Sequence, residues 1–173
     1  MKKKDYTFEQ ISSKVDKALD LLYEKDLDLI KRDVNERTIT QHLALYLGQC
    51  FSEWEFHIDC EYNRNYTEPK YLNLSIADIN ILEGGLDSKD TDARTVYPDI
   101  IMHKRDSNDE NLLVIEAKKE NPSNILESLD IKKLKAFTSK RNEYKYLWGL
   151  YVVFTKKRPI LKWFESGDEK ENF

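Results

Sequence analysis

The chain has 173 residues, of which 35% are charged, and its formal net charge is -4 at pH 7. This length suits one domain with a sizeable core, the composition carries no sign of disorder, and no apolar run approaches the ~18 residues that span a bilayer. The negative charge argues weakly against a protein that coats nucleic acid, because phosphate binding draws on lysine and arginine.

Two amphipathic helices are predicted at the start of the chain. Thr7 and Gln10 have the spacing of a capping box, and apolar residues then recur at helical period, which predicts a helix over residues 7–31. A second helix start at 33–36 leads into another apolar stripe and predicts a helix over 34–50.

A strand and an insertion follow the two helices. The run SEWEFHIDCEYN alternates between apolar and polar residues, which predicts a half-exposed strand. Residues 63–95 are interpreted as an insertion, because their turn-forming residues interrupt the apolar pattern. Within it we expect a strand or short helix around 71–82 and a mobile segment over 84–95.

The remaining elements complete a sandwich of helices around a sheet. They are strands at about 97–103 and 111–118, a helix from 125 to about 140, a long buried strand over 144–157 and a short final helix over 158–166. The first two strands are predicted to form an antiparallel hairpin. The order of elements predicts an α/β or α+β sandwich around a mixed sheet.

Charged residues stand where the two strands of the predicted hairpin come together. Asp99 begins one apolar run, and Glu116 and Lys118 end the next. Because side chains alternate across a strand, Glu116 and Lys118 project from one face. A loop centred near residue 108 places Asp99 roughly opposite positions 116 to 118, so Asp99 and Glu116 can converge on one point.

Glu36 is a third acid that could join them. An advance of about 100° per residue places it in the middle of the apolar stripe of the second helix. Alternatively, Glu36 only favours the helix dipole and completes a capping box with Asp33. The hairpin charges could likewise form a strand-end salt bridge of little energy, although that reading leaves the acid on a buried stripe unexplained.

Converging carboxylates repel, which raises at least one pKa unless a cation lies between them. Magnesium takes oxygen ligands and commonly binds through one or two carboxylates together with substrate phosphate. Such an ion lowers the pKa of a bound water, and a lysine beside it can position or deprotonate that water or stabilise the transition state. These residue types together predict a phosphodiester hydrolase.

The motif Pro98-Asp99 followed by Glu116-Ala117-Lys118 resembles that of the PD-(D/E)xK nuclease superfamily, and in particular its small stand-alone bacterial members. The resemblance spans residues 34–154 apart from the insertion. It implies a restriction-endonuclease-like core of helix, three strands, helix and strand, with a mixed sheet of four to five strands flanked by helices.

The same resemblance assigns roles to the acids and the lysine. It implies that Asp99 and Glu116 bind Mg²⁺ or Mn²⁺ and that Lys118 assists the attacking water. Glu36, on the first core helix, would complete the metal site. The implied substrate is nucleic acid, with DNA favoured over RNA, and a homodimer is plausible because cutting both strands requires two sites.

Basic residues after the motif are candidates for contacts with nucleic acid. Lys132, Lys135 and Arg141 lie on or just after the next helix, where members of this superfamily often meet the phosphate backbone. The alternative function is a catalytically silent domain of the same fold that binds nucleic acid or a protein partner as a regulatory module. The acidic net charge favours this alternative, whereas the intact acids and lysine disfavour it.

The cysteines and the start of the chain suggest a cellular location. Cys50 and Cys60 each lie in a segment predicted to be regular, so we expect two buried reduced thiols instead of a disulfide or a metal cluster. The start MKKKDYTFEQ lacks the apolar middle of a signal peptide. We therefore expect one cytoplasmic domain over residues 1–173, with no membrane partner.

Overall fold

Four helices and ten strands are present in the part of the chain that the computed structural model describes, residues 5–62, 64–65, 68–69, 71–72, 94–95, 97–105 and 107–171. The helices are α1 (Phe8–Lys25), α2 (Leu27–Lys31), α3 (Glu36–Cys50) and α4 (Asn124–Thr138). The strands are β1 (His57–Cys60), β2 (Arg64–Asn65), β3 (Glu68–Pro69), β4 (Tyr71–Leu72), β5 (Arg94–Thr95), β6 (Ile100–His103), β7 (Leu113–Lys119), β8 (Trp148–Phe154), β9 (Ile160–Glu165) and β10 (Asp168–Lys170).

A six-stranded mixed sheet organises the fold. Its strand order is β1-β6-β7-β8-β9-β10, in which β7 and β8 are parallel and every other neighbouring pair is antiparallel. The mixed α/β class agrees with the prediction. The sheet has six strands and not the predicted four to five, because the chain adds β9 and β10 after β8.

Helices cover both faces of this sheet. On β7, Ile115 and Ala117 pack in one core with residues of α1 and α3, whereas Val114 packs in a second core with α4. Because strand side chains alternate, Glu116 and Lys118 share the α4 face with Val114. The candidate residues therefore lie between the sheet and α4.

The predicted helix over 7–31 is interrupted at Asp26. Its start is as expected, since Thr7 and Gln10 form a capping box. Asp26 leaves helical geometry, with φ of -127°, and its Oδ2 contacts Nδ1 of His42 at 2.9 Å and accepts a hydrogen bond from the Tyr46 hydroxyl at 2.5 Å. These contacts with α3 separate α1 from α2.

The predicted final helix over 158–166 is wrong, because this segment forms β9 and turns into β10. Ser166 and Gly167 have φ of 56° and 94°, and Glu165 pairs with Asp168 across this two-residue turn. Positive φ at both central residues is typical of the turns that match the twist of a hairpin. Trp163 and Phe164 consequently pack in cores on opposite faces of the sheet.

The insertion is described only in part, and both cysteines are free. Of the segments predicted at 71–82 and 84–95, only Tyr71–Leu72 and Arg94–Thr95 are described, and they pair antiparallel; the rest lies outside the described residues. Cys50 and Cys60 are both free, but Cys60 is exposed, so the expectation of two buried thiols is wrong. Among the described helices, none is long and apolar enough to cross a membrane.

Candidate functional site

Asp99 and Glu116 lie level with one another on adjacent strands. The register pairs Ile100 with Ile115, so the next position along brings Asp99 opposite Glu116. The backbone N–H of Ala117 donates a hydrogen bond of 2.7 Å to Oδ2 of Asp99. This contact anchors the Asp99 carboxylate at the end of β7.

Glu36 reaches the same end of β7 from the first residue of α3. Its Oε1 lies 3.2 Å from Nζ of Lys118, and its Oε2 accepts a hydrogen bond of 3.0 Å from the backbone N–H of Lys119. The helix cap is Asn35, so Glu36 and Asp33 do not form the alternative capping box. Asp33 pairs instead with Nζ of Lys119, at 2.6 Å.

Two residues of α4 that the sequence reasoning missed belong to this cluster. Nζ of Lys133 lies 2.8 Å from Oε2 of Glu116 and 2.6 Å from Oδ1 of Asp130. Nζ of Lys118 lies 3.2 Å from Oδ2 of Asp130, an ion pair without hydrogen-bond geometry. Asp130 lies close to Leu134 on the helical wheel, so the argument that singled out Glu36 would have found it.

Burial and charge shift the pKa values of this cluster. Burial raises the pKa of Asp99, and the nearby Lys118 only partly offsets it. Burial also raises the pKa of Glu116 well above its ordinary value, against the opposing effect of Lys133. Burial alone would lower the pKa values of Lys118 and Lys133, but the surrounding carboxylates outweigh it and raise both. Both lysines therefore stay protonated.

Three buried oxygen atoms between the sheet and α4 have no hydrogen-bond partner among the described residues. They are Oε1 of Glu116, a residue that is 1% exposed, Oδ2 of Asp130 and the hydroxyl of Tyr151. The register pairs Tyr151 on β8 with Glu116 on β7, so both side chains lie on the same face. Buried polar groups usually have partners, so orphaned atoms of this kind are places where a water, an ion or a ligand binds.

Replacing Tyr151 by phenylalanine should not lower the free energy of unfolding and should raise it by up to about 1–3 kcal/mol, because the change removes a buried hydroxyl that has no partner. Tyr23→Phe is the matched control and should cost about 1 kcal/mol, since its hydroxyl donates to the carbonyl of Thr155 at 2.8 Å. Urea unfolding of both variants measures the difference. Equal losses would mean that the Tyr151 hydroxyl is satisfied.

Among the acids of the cluster, Asp99 and Glu116 are the two whose carboxylates suit a divalent cation. One or two protein carboxylates are the number that magnesium commonly takes, and Oε1 of Glu116 is available. Glu36 is less suited to bind the cation, because Lys118 and Lys119 already contact both of its carboxylate oxygens. Among the described residues, no group of three or more histidine, cysteine or acidic side chains is arranged to hold a metal.

The net charge of the cluster is also compatible with a bound cation. The cluster contains four carboxyl groups and two ammonium groups, those of Glu36, Asp99, Glu116, Asp130, Lys118 and Lys133. With all six groups ionised, two negative charges have no lysine to balance them. One divalent ion would neutralise this excess.

The three residues predicted to contact nucleic acid lie on α4 or just after it. Lys132 is exposed and adjoins Lys133, whereas Lys135 is half-buried. Arg141 comes just after the end of α4. Thr138, the last residue of α4, packs closely against Gly149 near the start of β8. Arg141 is therefore at the opposite end of the sheet from Lys118.

No protein-family model matches the chain, and no match was found among curated proteins or solved structures. The resemblance to PD-(D/E)xK nucleases thus depends on the motif residues.

Proposed function

We propose that this protein is a metal-dependent nuclease that hydrolyses phosphodiester bonds, in DNA in preference to RNA. The observation that carries the proposal is the meeting of Asp99, Glu116 and Lys118 at one end of the sheet, with a buried oxygen of Glu116 left without a partner. Cleavage of both strands would use two copies of the site, so a homodimer is part of the proposal.

The order of elements around the site supports the same proposal. Apart from the short strands β2 to β5, which lie between β1 and β6, the described order is helix α3, strands β1, β6 and β7, helix α4 and strand β8. This is the helix, three strands, helix and strand expected of a restriction-endonuclease-like core. The motif acids and lysine occupy β7 and the residue before β6, in the middle of that core.

Four residues of the cluster have distinct tasks in this proposal. Asp99 and Glu116 would hold Mg²⁺ or Mn²⁺, which activates a water and neutralises phosphoryl oxygens when bound. Lys118 is protonated, so it would donate to a phosphate oxygen or orient the water, and it would not act as the base. Glu36 is a positioning residue that holds the ammonium of Lys118.

One observation favours a second candidate function, a nuclease-fold module that binds a partner without cutting. Lys133 pairs with Oε2 of Glu116 at 2.8 Å and so supplies a counter-charge without any metal. In that case the cluster would be an internal salt-bridge network. The two candidates differ in whether the cluster binds a divalent ion.

Mn²⁺ should bind to the wild-type protein, and its affinity should rise with pH. The pKa of Glu116 is raised, so below that value the carboxyl is protonated and competes with the ion, whereas above it the affinity levels off. Calorimetry between pH 5 and 8, in buffers of different ionisation enthalpy, measures both the affinity and the proton released. Asp33→Asn, which alters an exposed acid outside the cluster, should bind as wild type does.

Glu116→Gln should lose most of this Mn²⁺ binding. If the wild type gives no more heat than Glu116→Gln, the nuclease proposal fails and the partner-binding module is preferred. Cleavage of plasmid and single-stranded DNA in Mg²⁺ or Mn²⁺, compared with Asp99→Ala, then tests hydrolysis itself.

A further inference from the structure

A turn rich in basic residues joins β8 to β9. Lys156, Lys157 and Arg158 follow one another in it, and all three are exposed. Within the part of the chain that the structure describes, none of the three forms an ion pair. Lys156 is near enough to Asp33 to help lower the pKa of that carboxyl, whereas the exposed charges of Lys157 and Arg158 face solvent.

Hydrogen bonds from Thr155 fix the shape of this turn. Its hydroxyl donates to the carbonyl of Arg158 at 2.7 Å and accepts from the backbone N–H groups of Lys157 and Arg158 at 3.2 and 3.3 Å. Its carbonyl accepts from the hydroxyl of Tyr23 on α1. A backbone held in this way loses little entropy when the turn binds a ligand.

The turn lies at the same end of the sheet as the candidate site. The parallel register pairs Lys118 with Val153, so the chain passes the level of Lys118 shortly before it enters the turn. Lys156 lines a cavity of about 220 Å³ together with Lys119, Glu120 and Asn121, which come soon after Lys118, and with Asp33. The basic turn thus adjoins the end of β7.

The distance between the basic turn and the candidate site suits a bound nucleic-acid strand. Lys156 is three residues beyond Val153, and three residues span at most roughly 10 Å. Phosphates along one strand of B-DNA advance about 3.4 Å each along the axis, so a strand lying across the site would bring neighbouring phosphates to the turn. Lys140 and Arg141, also exposed, lie at the far end of the sheet.

We propose that Lys156, Lys157 and Arg158 bind the phosphodiester backbone of DNA beside the site formed by Asp99 and Glu116. This inference depends on the proposed function for the position of the strand. It assigns backbone binding to the turn between β8 and β9 and not to the region after α4.

A matched pair of charge reversals tests the assignment. Lys157→Glu with Arg158→Glu removes one lysine and one arginine from the turn, and Lys140→Glu with Arg141→Glu removes the same pair at the far end. Fluorescence anisotropy with a labelled DNA duplex, in buffer without divalent metal, measures Kd between 50 and 200 mM salt. Circular dichroism verifies that both variants are folded.

The turn variant should bind the duplex at least tenfold more weakly than wild type. The slope of log K against log salt should be shallower by about 0.9 for each phosphate that the turn no longer neutralises. The far-end variant should bind within twofold of wild type. Equal losses in both variants, a loss only at the far end, or no binding by the wild type would overturn the inference. Binding is measured without metal, so failure here is distinct from failure of Mn²⁺ binding or cleavage.

Discussion

Replacing Lys133 by methionine should lower the free energy of unfolding by about 3–5 kcal/mol, because it leaves Glu116 and Asp130 buried without their shared cation. Urea unfolding at pH 7 measures the loss. Lys132→Met changes the adjacent exposed lysine of the same helix and should stay within about 0.5 kcal/mol of wild type.

Two further measurements test the electrostatic cause of this loss. Glu116→Gln combined with Lys133→Met should recover part of the stability, since it removes the charge that was left unpaired. Mn²⁺ should raise the melting temperature of Lys133→Met more than that of wild type, because the ion replaces the missing counter-charge. If Lys133→Met proves as stable as Lys132→Met, the buried ion pair does not form.

Replacing Lys118 by methionine should lower the rate of DNA cleavage by about 10²–10³-fold, because it removes a positive charge next to the reacting phosphate. The measurement is the initial rate of plasmid cleavage in Mg²⁺. Lys119→Met is the matched control and should cleave almost as fast as wild type, since its ammonium contacts exposed Asp33.

Lys118→Met should still bind Mn²⁺, because the proposed ligands Asp99 and Glu116 remain. This separates loss of the catalytic charge from loss of the metal. A Lys118→Met protein that cleaves as fast as Lys119→Met would remove Lys118 from the chemistry. Activity that also persists in Asp99→Ala would come from a contaminating nuclease.

The parts of the site that could be predicted from sequence depend on short-range geometry. Alternation along β7 placed Glu116 and Lys118 on one face, and the length of the hairpin loop brought Asp99 opposite Glu116. The helical wheel of α3 placed Glu36 toward the protein interior, where it meets Lys118. In each case the position of the side chain follows from the repeat of one element or one turn.

The parts that were missed depend on partners distant in sequence or on turn chemistry. A lysine on a helix is usually solvated. Lys133 can therefore be recognised as part of the site only when Glu116 is known to lie beside it. The break at Asp26 is stabilised by two side chains of α3, which no local pattern reveals. The final hairpin was signalled by Ser166-Gly167, but the apolar residues before it also suited a helix.

The two ammonium groups that bridge the acids of the cluster have a consequence for how the protein would respond to a shortage of ions. Lys118 and Lys133 belong to the chain itself, so their charges balance two of the four carboxylates whether or not Mg²⁺ or Mn²⁺ is bound. Under the proposed function, scarcity of the ion would silence the enzyme without unfolding it.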